Sequence, residues 1–361
     1  MSGRYFAPLA GVLWCLALPA LTPAASAQTT NNEDSGWWHP FTMEKASQPG
    51  DWTQHIRLGA VLGFNIKANF NESGLFNVSG NNAANGIYDD GYVQPDQSGD
   101  PAHTGFWGYN NASQYNGGAQ TLTMHSTTSY STAGSSEDHG GPFPGVELAY
   151  GIDLWKWKPV RVGLELGLGI VPIDISDTTP MAATVNQTAY TFSTAGIVVP
   201  AAPYQGGPSG AGEPIISTAS TTSAGAVVGT VTGKRELDVI LYTLRLGPTV
   251  SFDLPENFAV MLGAGPAVGL VSGDYKFNEV ITTAGTSTRN TGQFGAADFV
   301  FGGYANATLV YRFSDEGRNG DIYIGAQYMP MGNADFNSGG REGRLNLEGQ
   351  AYVSAGFSWP F

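Results

Sequence analysis

The residues of this chain best suited to move protons near neutral pH are five histidines, His39, His55, His103, His125 and His139. Three of them lie in one stretch rich in Ser, Thr and Asp, the kind of region where a Ser–His or Asp–His set could activate a nucleophile. The spacing supplies no such set. There is no nucleophile elbow and no HExxH, and His139 near Glu147 is closeness in sequence alone. The single cysteine, Cys15, lies in an N-terminal apolar run expected to be removed. A disulfide framework, a thiolate metal site and a thiol nucleophile are therefore excluded. Asp89, Asp90, Asp96 and Asp100, within "DDGYVQPDQSGD", are hard oxygen ligands near a glycine and weak candidates for Ca²⁺. Their spacing is not that of an EF-hand, so a solvated acidic loop is the expectation. Phe106, Trp107 and Tyr109 could stack on a sugar or a partner, but packing of the loop on itself is expected instead. The chain is read as non-catalytic, with no cofactor and no metal.

Another set of chemically active residues is spread through the chain at strand spacing. Arg57, Glu147, Asp153, Arg161, Glu165, Arg245, Asp253, Arg312 and Glu348 each sit in a segment where apolar residues recur at every second position. Charges of both signs on the polar side of such segments point to an internal ion-pair network rather than a one-sign ring that would select ions. Glycines share that polar side, among them Gly59, Gly63, Gly163 and Gly167, and leave room for long arginines. Over the whole chain the net charge is -14, which argues against nucleic acid as a partner.

The elements that must position these charges are strands. Charged residues make up only 13% of the chain and Gly is abundant, a composition of sheets joined by irregular loops. In "IRLGAVLGFNIKANF", Ile56, Leu58, Ala60, Leu62, Phe64, Ile66, Ala68 and Phe70 are assigned to one face of one strand. Seven more strands follow: around Val146–Leu154, Val160–Ile170, Ile240–Leu254, Phe258–Leu270, Phe299–Phe313, "IYIGAQYM", and from about Arg344 to Phe361. Their connections alternate between short polar turns ("KWKP", "PEN", "SDEGRNGD") and long segments, the longest at 71–144 and 176–235. Short turns on one side and long loops on the other, with an even strand count, describe an up-and-down transmembrane β-barrel. The expected fold is thus all-β and antiparallel, with eight strands, or ten if part of a long loop pairs into the sheet. Short turns would face the periplasm and long loops the exterior. Such a sheet must close, because hydrocarbon offers its backbone no partner.

Aromatic residues fall where interfacial girdles belong. Trp155, Trp157, Phe252, Phe258, Tyr311 and Phe313 cluster at the short-turn ends, and Phe70, Tyr242 and Phe299 near the long-loop ends. The second long segment, "PAAPYQGGPSGAGEPIISTASTTSAGAVVG", is small, uncharged and low in complexity, and reads as mobile. "QTLTMHSTTSY", in the first, alternates weakly and could extend the sheet above the membrane.

Both ends of the chain fit the same picture. Arg4, the apolar run from Tyr5 to Leu21 and the small-x-small Ala25-Ser26-Ala27 form a secretion signal over residues 1–27. Residues 28–51 are a periplasmic extension, and 52–361 the barrel. The last strand carries Val353, Ala355, Phe357, Trp359 and Phe361 at alternate positions. With the signal and the alternating strands, this pattern resembles the small outer-membrane β-barrel superfamily of bacteria, the OmpA-type and OmpW-type barrels. That resemblance implies an outer-membrane location in a Gram-negative-type bacterium. It also implies that Phe357, Trp359 and Phe361 serve as a C-terminal signal to the barrel-assembly machinery. Pro360 departs from the pattern. The expected function is a barrel with a side-chain-filled lumen, set in outer-membrane lipid, serving envelope structure and surface contact through its long loops. The alternatives are a narrow channel or carrier for small or apolar solutes, and an outer-membrane enzyme with a loop-borne site.

Overall fold

A computed structural model describes residues 53–78, 82–157, 159–315 and 318–360. The expected signal at 1–27, the extension at 28–51 and Phe361 lie outside the described residues. Thirteen strands carry the architecture: β1 (Thr53–Phe64), β2 (Lys67–Asn77), β3 (Thr121–His139), β4 (Phe143–Trp157), β5 (Val160–Asp177), β6 (Met181–Ser193), β7 (Ser220–Asp253), β8 (Phe258–Thr282), β9 (Ser287–Asp315), β10 (Arg318–Tyr328), β11 (Ala334–Ser338), β12 (Arg341–Asn346) and β13 (Ala351–Pro360).

Eight of them close a ring in the order β1-β4-β5-β7-β8-β9-β10-β13 and back to β1, every pair antiparallel. The last strand meets the first with Ile56 opposite Trp359 and Phe64 opposite Ala351. Pro360, which has no N–H to offer, is paired at the end of that ladder opposite His55.

The remaining strands extend the same barrel upward. β5 and β6 both pair antiparallel with β7, so β6 continues the line of β5. β3 lies beside β6 and runs on into β4, β2 lies beside β3 and continues β1, and β12 lies beside β2 and runs on into β13. β11 pairs with β12, and a bridge from Met331 to Gly302 brings the segment before β11 against β9. The longest strand, β7, has 34 residues, about 110 Å of contour at ~3.3 Å each.

The two halves of this barrel bury opposite faces. In the lower half the outward positions are apolar: Leu164, Leu166, Leu168 and Ile170 on β5, and Ile240, Tyr242, Leu244 and Leu246 on β7, are all exposed. In the upper half the apolar residues turn inward. Val171, Ile173 and Ile175 on β5 and Leu237, Val239 and Leu241 on β7 are buried, while Asp174 and Asp238 face out. On β5 and β7 the backbone runs straight through the change, and the apolar pattern shifts by one residue.

β1 and β2 make the same change by a different route. Their apolar residues keep one parity throughout, but the backbone kinks at Asn65, which has a left-handed φ of 57°. Ile56, Leu58, Leu62 and Phe64 face out below the kink; Ile66, Ala68 and Phe70 are fully buried above it. The single continuous face expected from Ile56 to Phe70 is therefore two faces, and Phe70 is core rather than girdle. The eighth strand likewise does not run unbroken from Arg344. β12 ends at Asn346 and β13 begins at Ala351, and the inward set moves from Leu345 and Leu347 to Tyr352. Asn65 Nδ2 donates to Gly349 O at 2.8 Å, tying the two kinks together.

The stretches at 71–144 and 176–235, expected as loops, are in large part wall strands. The segment read as mobile is also built in. Tyr204 pairs opposite Tyr109, Ile216 opposite Thr104, and the rest enters β7 at Ser220. Its small residues leave backbone free for pairing, and Tyr204 and Ile216 supply anchors that low-complexity composition conceals.

Candidate functional site

The interior of the barrel is layered. At the lower mouth a cavity of about 300 Å³ is bordered by His55, Asp153, Lys156, Arg161, Asp253 and Arg312. Arg161 Nη1 reaches Asp153 Oδ2 at 3.0 Å and its Nη2 reaches Asp253 Oδ1 at 3.1 Å; Arg312 Nη1 meets the same Asp253 oxygen at 2.8 Å. Just above, Glu165 stands between two guanidiniums. It accepts from Arg57 on one oxygen and from Arg245 Nη1 at 2.9 Å on the other, while Arg245 Nη2 also reaches Glu147 at 2.8 Å. Arg57 lies over the Tyr323 ring and Arg245 over that of Tyr304, at 5.2 and 5.1 Å. A Cβ on Gly167 would fall 2.5 Å from Arg245 Nε, so the glycine makes space for the arginine.

Eight of the nine charges read from the sequence as a network thus meet on the inner wall. Glu348 does not. It is exposed in the link before β13 and hydrogen-bonded from Asn333 Nδ2 at 3.3 Å. The apolar parity used to place it breaks at the kink between β12 and β13. Of the residues read as a girdle, Trp155, Phe252, Tyr311 and Phe313 are exposed, and Trp157 and Phe258 are half-buried. Phe357 and Trp359 also face outward on β13, with ring centroids 6.0 Å apart.

Above the charged layer is a cluster of buried apolar side chains, among them Val61, Phe70, Val171, Leu241, Tyr275 and Phe336. A void of about 10 Å³ next to Val61, Glu147 and Tyr352 has room for about one water.

Higher still is a second charged cluster that strand periodicity did not reveal. Glu72, Asp177, Arg235, Glu279 and Arg341 come from five strands and are all buried. Arg341 Nε contacts Glu72 Oε1 at 3.2 Å and Nη2 contacts Glu279 Oε2 at 2.8 Å; Arg235 Nη1 reaches Asp177 at 3.2 Å. Tyr130 accepts from Arg341 at 2.6 Å and donates to Glu279 at 2.7 Å. Arg341 is sandwiched between the Phe76 and Phe277 rings at 4.2 and 3.9 Å. Three carboxyls face two guanidiniums, and one proton balances the cluster. Burial, reinforced by a hydrogen bond to Glu279, pushes the Glu72 carboxyl up to about 7. Burial opposes ionisation of Glu279 too, but the proton donated by Glu72 and the Arg341 guanidinium outweigh it and hold that carboxyl below its usual value. In sequence these residues sit in stretches taken for loops, so no alternation marked them.

The top of the molecule is an aromatic head. Trp107 is fully buried, packs its ring tilted against that of Tyr204 with centroids 4.6 Å apart, and donates from Nε1 to Pro214 O at 2.6 Å. Tyr109 donates to Pro200 O at 2.5 Å. Trp107 and Tyr109 thus pack the two long segments together. Beside them a cavity of about 760 Å³ is lined by Tyr88, Tyr190, Phe192, Asn85, Gln94 and Asp96.

The four candidate Ca²⁺ ligands are engaged in separate hydrogen bonds, Asp89 and Asp90 to β3 and Asp96 and Asp100 within their own segment. Asp89 accepts from Thr127 N and Asp90 from His125 N and Nδ1, whereas Asp96 accepts from Gly105 N and Asp100 from Ala102 N. Among the described residues no three His, Cys, Asp or Glu converge as a metal site. The Asp90 contact holds His125 above its ordinary pKa. His125 Nδ1 lies 2.7 Å from Asp90 Oδ2, which is two thirds of a nucleophile-activating set. Among the described residues no hydroxyl is hydrogen-bonded to its other ring nitrogen.

No family model matches this chain, and no curated protein matches it. Among solved structures, it is similar to the crystal structure of a Pseudomonas aeruginosa FadL homologue, at 10% identity over 86% of this chain and 90% of that one, with a TM-score of 0.19. A TM-score that low leaves no common fold to argue from.

Proposed function

We propose that this protein is an integral outer-membrane β-barrel with a closed lumen, without catalysis, whose working surface is the aromatic head. The observation that carries this is the inversion of the wall. Over the lower half, apolar side chains face out while Arg57, Glu165 and Arg245 are buried inside. Only a surrounding hydrocarbon makes that arrangement favourable. On β7 the outward apolar band runs from Ile240 to Phe252, and at a tilt of ~40° it stands about 30 Å tall, close to the band of known barrels. Above Ile240 the wall becomes polar outside and apolar inside, as in a water-soluble barrel.

Two features support a closed lumen. The lower charged layer pairs both signs, so it forms no one-sign ring. In the apolar layer above it, the void beside Val61 and Tyr352 has room for about one water. The head then serves envelope structure and surface contact, with its cavity and edges as points of attachment. The barrel-assembly machinery is the partner proposed during biogenesis, reading Phe357, Trp359 and Phe361.

Single-channel recording of refolded protein in a planar bilayer tests this. Demonstrably folded protein should be electrically silent. Steady conductance would overturn the closed lumen and bring forward the competing reading, a narrow channel or carrier for small or apolar solutes.

A further inference from the structure

The long strand β7 has an edge that nothing in the described chain uses. From Asp253 back to Thr230 it is flanked by β8 on one side, and along most of that length by β5 or β6 on the other. β8 ends at Thr282, opposite Thr230. β7 continues from Gly229 to Ser220 with β6 as its only paired neighbour among the described residues. The turn after β8 leans inward instead of rising along β7. Gln187 Nε2, on β6, donates to Thr286 Oγ1 at 2.9 Å and to Thr127 Oγ1 at 3.1 Å, clasping that turn to the inner wall.

Ser220 to Val228 are exposed at every position. A strand with one packed face shows alternate burial, so here neither face is covered. The segment 218–233, "TASTTSAGAVVGTVTG", contains no charge and no proline, and its pairing to β6 is continuous from Ser220 to Val231 without a bulge. Edge strands are normally guarded by one of those three devices.

We propose that this edge is a docking site for an extended polypeptide segment of another protein, which adds to the sheet as a further strand. The backbone chemistry selects the ligand class: a row of alternating N–H and C=O groups is matched by another peptide backbone. The side chains narrow it. Thr221, Ser223 and Gly225 lie on the same face as Ala189 and Gln187, a shallow row of small residues that suits a partner with bulky apolar side chains at alternate positions. A second copy in the same membrane fits poorly. Its β7 would run in the same direction, and a two-fold axis along the membrane normal would set identical residues face to face. Parallel pairing instead needs a one-residue offset. This proposal rests on the extracellular placement of the head only for where the partner comes from.

The test uses full-length protein refolded in detergent micelles and a fluorescein-labelled peptide of alternating Val and Thr with a terminal Lys. Successive N–H groups of a strand point to opposite edges, so of A224P and G225P one removes an outward donor and the other a donor to β6. The peptide should bind, and the outward variant should weaken binding by about tenfold or more with unchanged thermal unfolding, since proline is tolerated on an open edge. Deuterium exchange at residues 221–228 should slow on binding. The proposal is overturned if the peptide does not bind, or if both variants bind it as the parent does. It is also overturned if peptide-free protein is a dimer by light scattering and the outward variant dissolves it, which would give the edge to a second copy. Conductance in the bilayer would sink the closed lumen without touching this result.

Discussion

Glu165 carries the lower charged layer, because Arg57 and Arg245 both depend on it. E165A would leave two buried guanidiniums short of a counter-charge, and removing one partner of a buried pair typically costs about 3–5 kcal/mol. Denaturant titration of the refolded barrel should show a loss of that size, and a midpoint equal to the parent's would mean the layer is idle. The upper cluster makes a different prediction, one of pH. Glu72 is raised from its ordinary 4.5 to about 7. Between those values the folded protein holds a proton that the unfolded chain has released, so stability falls as pH rises from about 4.5 to about 7. E72Q keeps a neutral side chain at that position and should flatten this part of the profile. A variant that retains the parent's slope would place the titration elsewhere. The lower charges were legible from sequence because each sat on a clean two-residue alternation. Glu72, Arg235, Glu279 and Arg341 were not, because they lie in segments that read as connections between strands; around Arg235 the apolar residues Val231, Leu237 and Val239 have the opposite parity to Ile240 and Tyr242.

At the level of elements, the barrel turns its apolar face from outside to inside by two devices. β5 and β7 do it in composition, as in "LGIVPIDI", where the apolar parity slips between Ile170 and Val171. β1 and β2 do it in backbone, through Asn65. Read without coordinates, the first device looks like the end of a strand and the second like no event at all. That is why strand alternation places Phe70 outside and Glu348 in the lumen. Asn tolerates positive φ better than a β-branched residue, whose penalty is about 1–2 kcal/mol. N65V should therefore destabilise the folded barrel by about 2 kcal/mol once the lost hydrogen bond to Gly349 is included. N65G should stay within about 1 kcal/mol of the parent, since glycine takes this conformation freely. Equal stability of the two variants in micelles would show that the kink is not held by this residue.

As a whole molecule, the ring has no open edge in its lower half, and closure there joins the first strand to the last through ten paired positions. A ring of that kind resists detergent until heated. Folded protein should migrate differently from boiled protein in SDS gels, and identical migration in several detergents would count against closure. The upper half is built otherwise. Beyond Thr230, β7 has only β6 beside it among the described residues, so hydrogen exchange there should be faster than in the belt, where each strand has two neighbours.

From the amino acids alone came the all-β character, a ring of eight strands, the outward face of the lower belt and the inward charges of the lower layer. All of these follow from two-residue periodicity, which is local and survives without coordinates. Only the tertiary structure decided where that periodicity changes sides, that both long segments are largely wall and head rather than loops, and that a second charged cluster lies buried in the upper barrel. Those outcomes depend on pairings between residues far apart in the chain, such as Arg235 with Asp177 and Arg341 with Glu72. No short-range pattern encodes a register of that length.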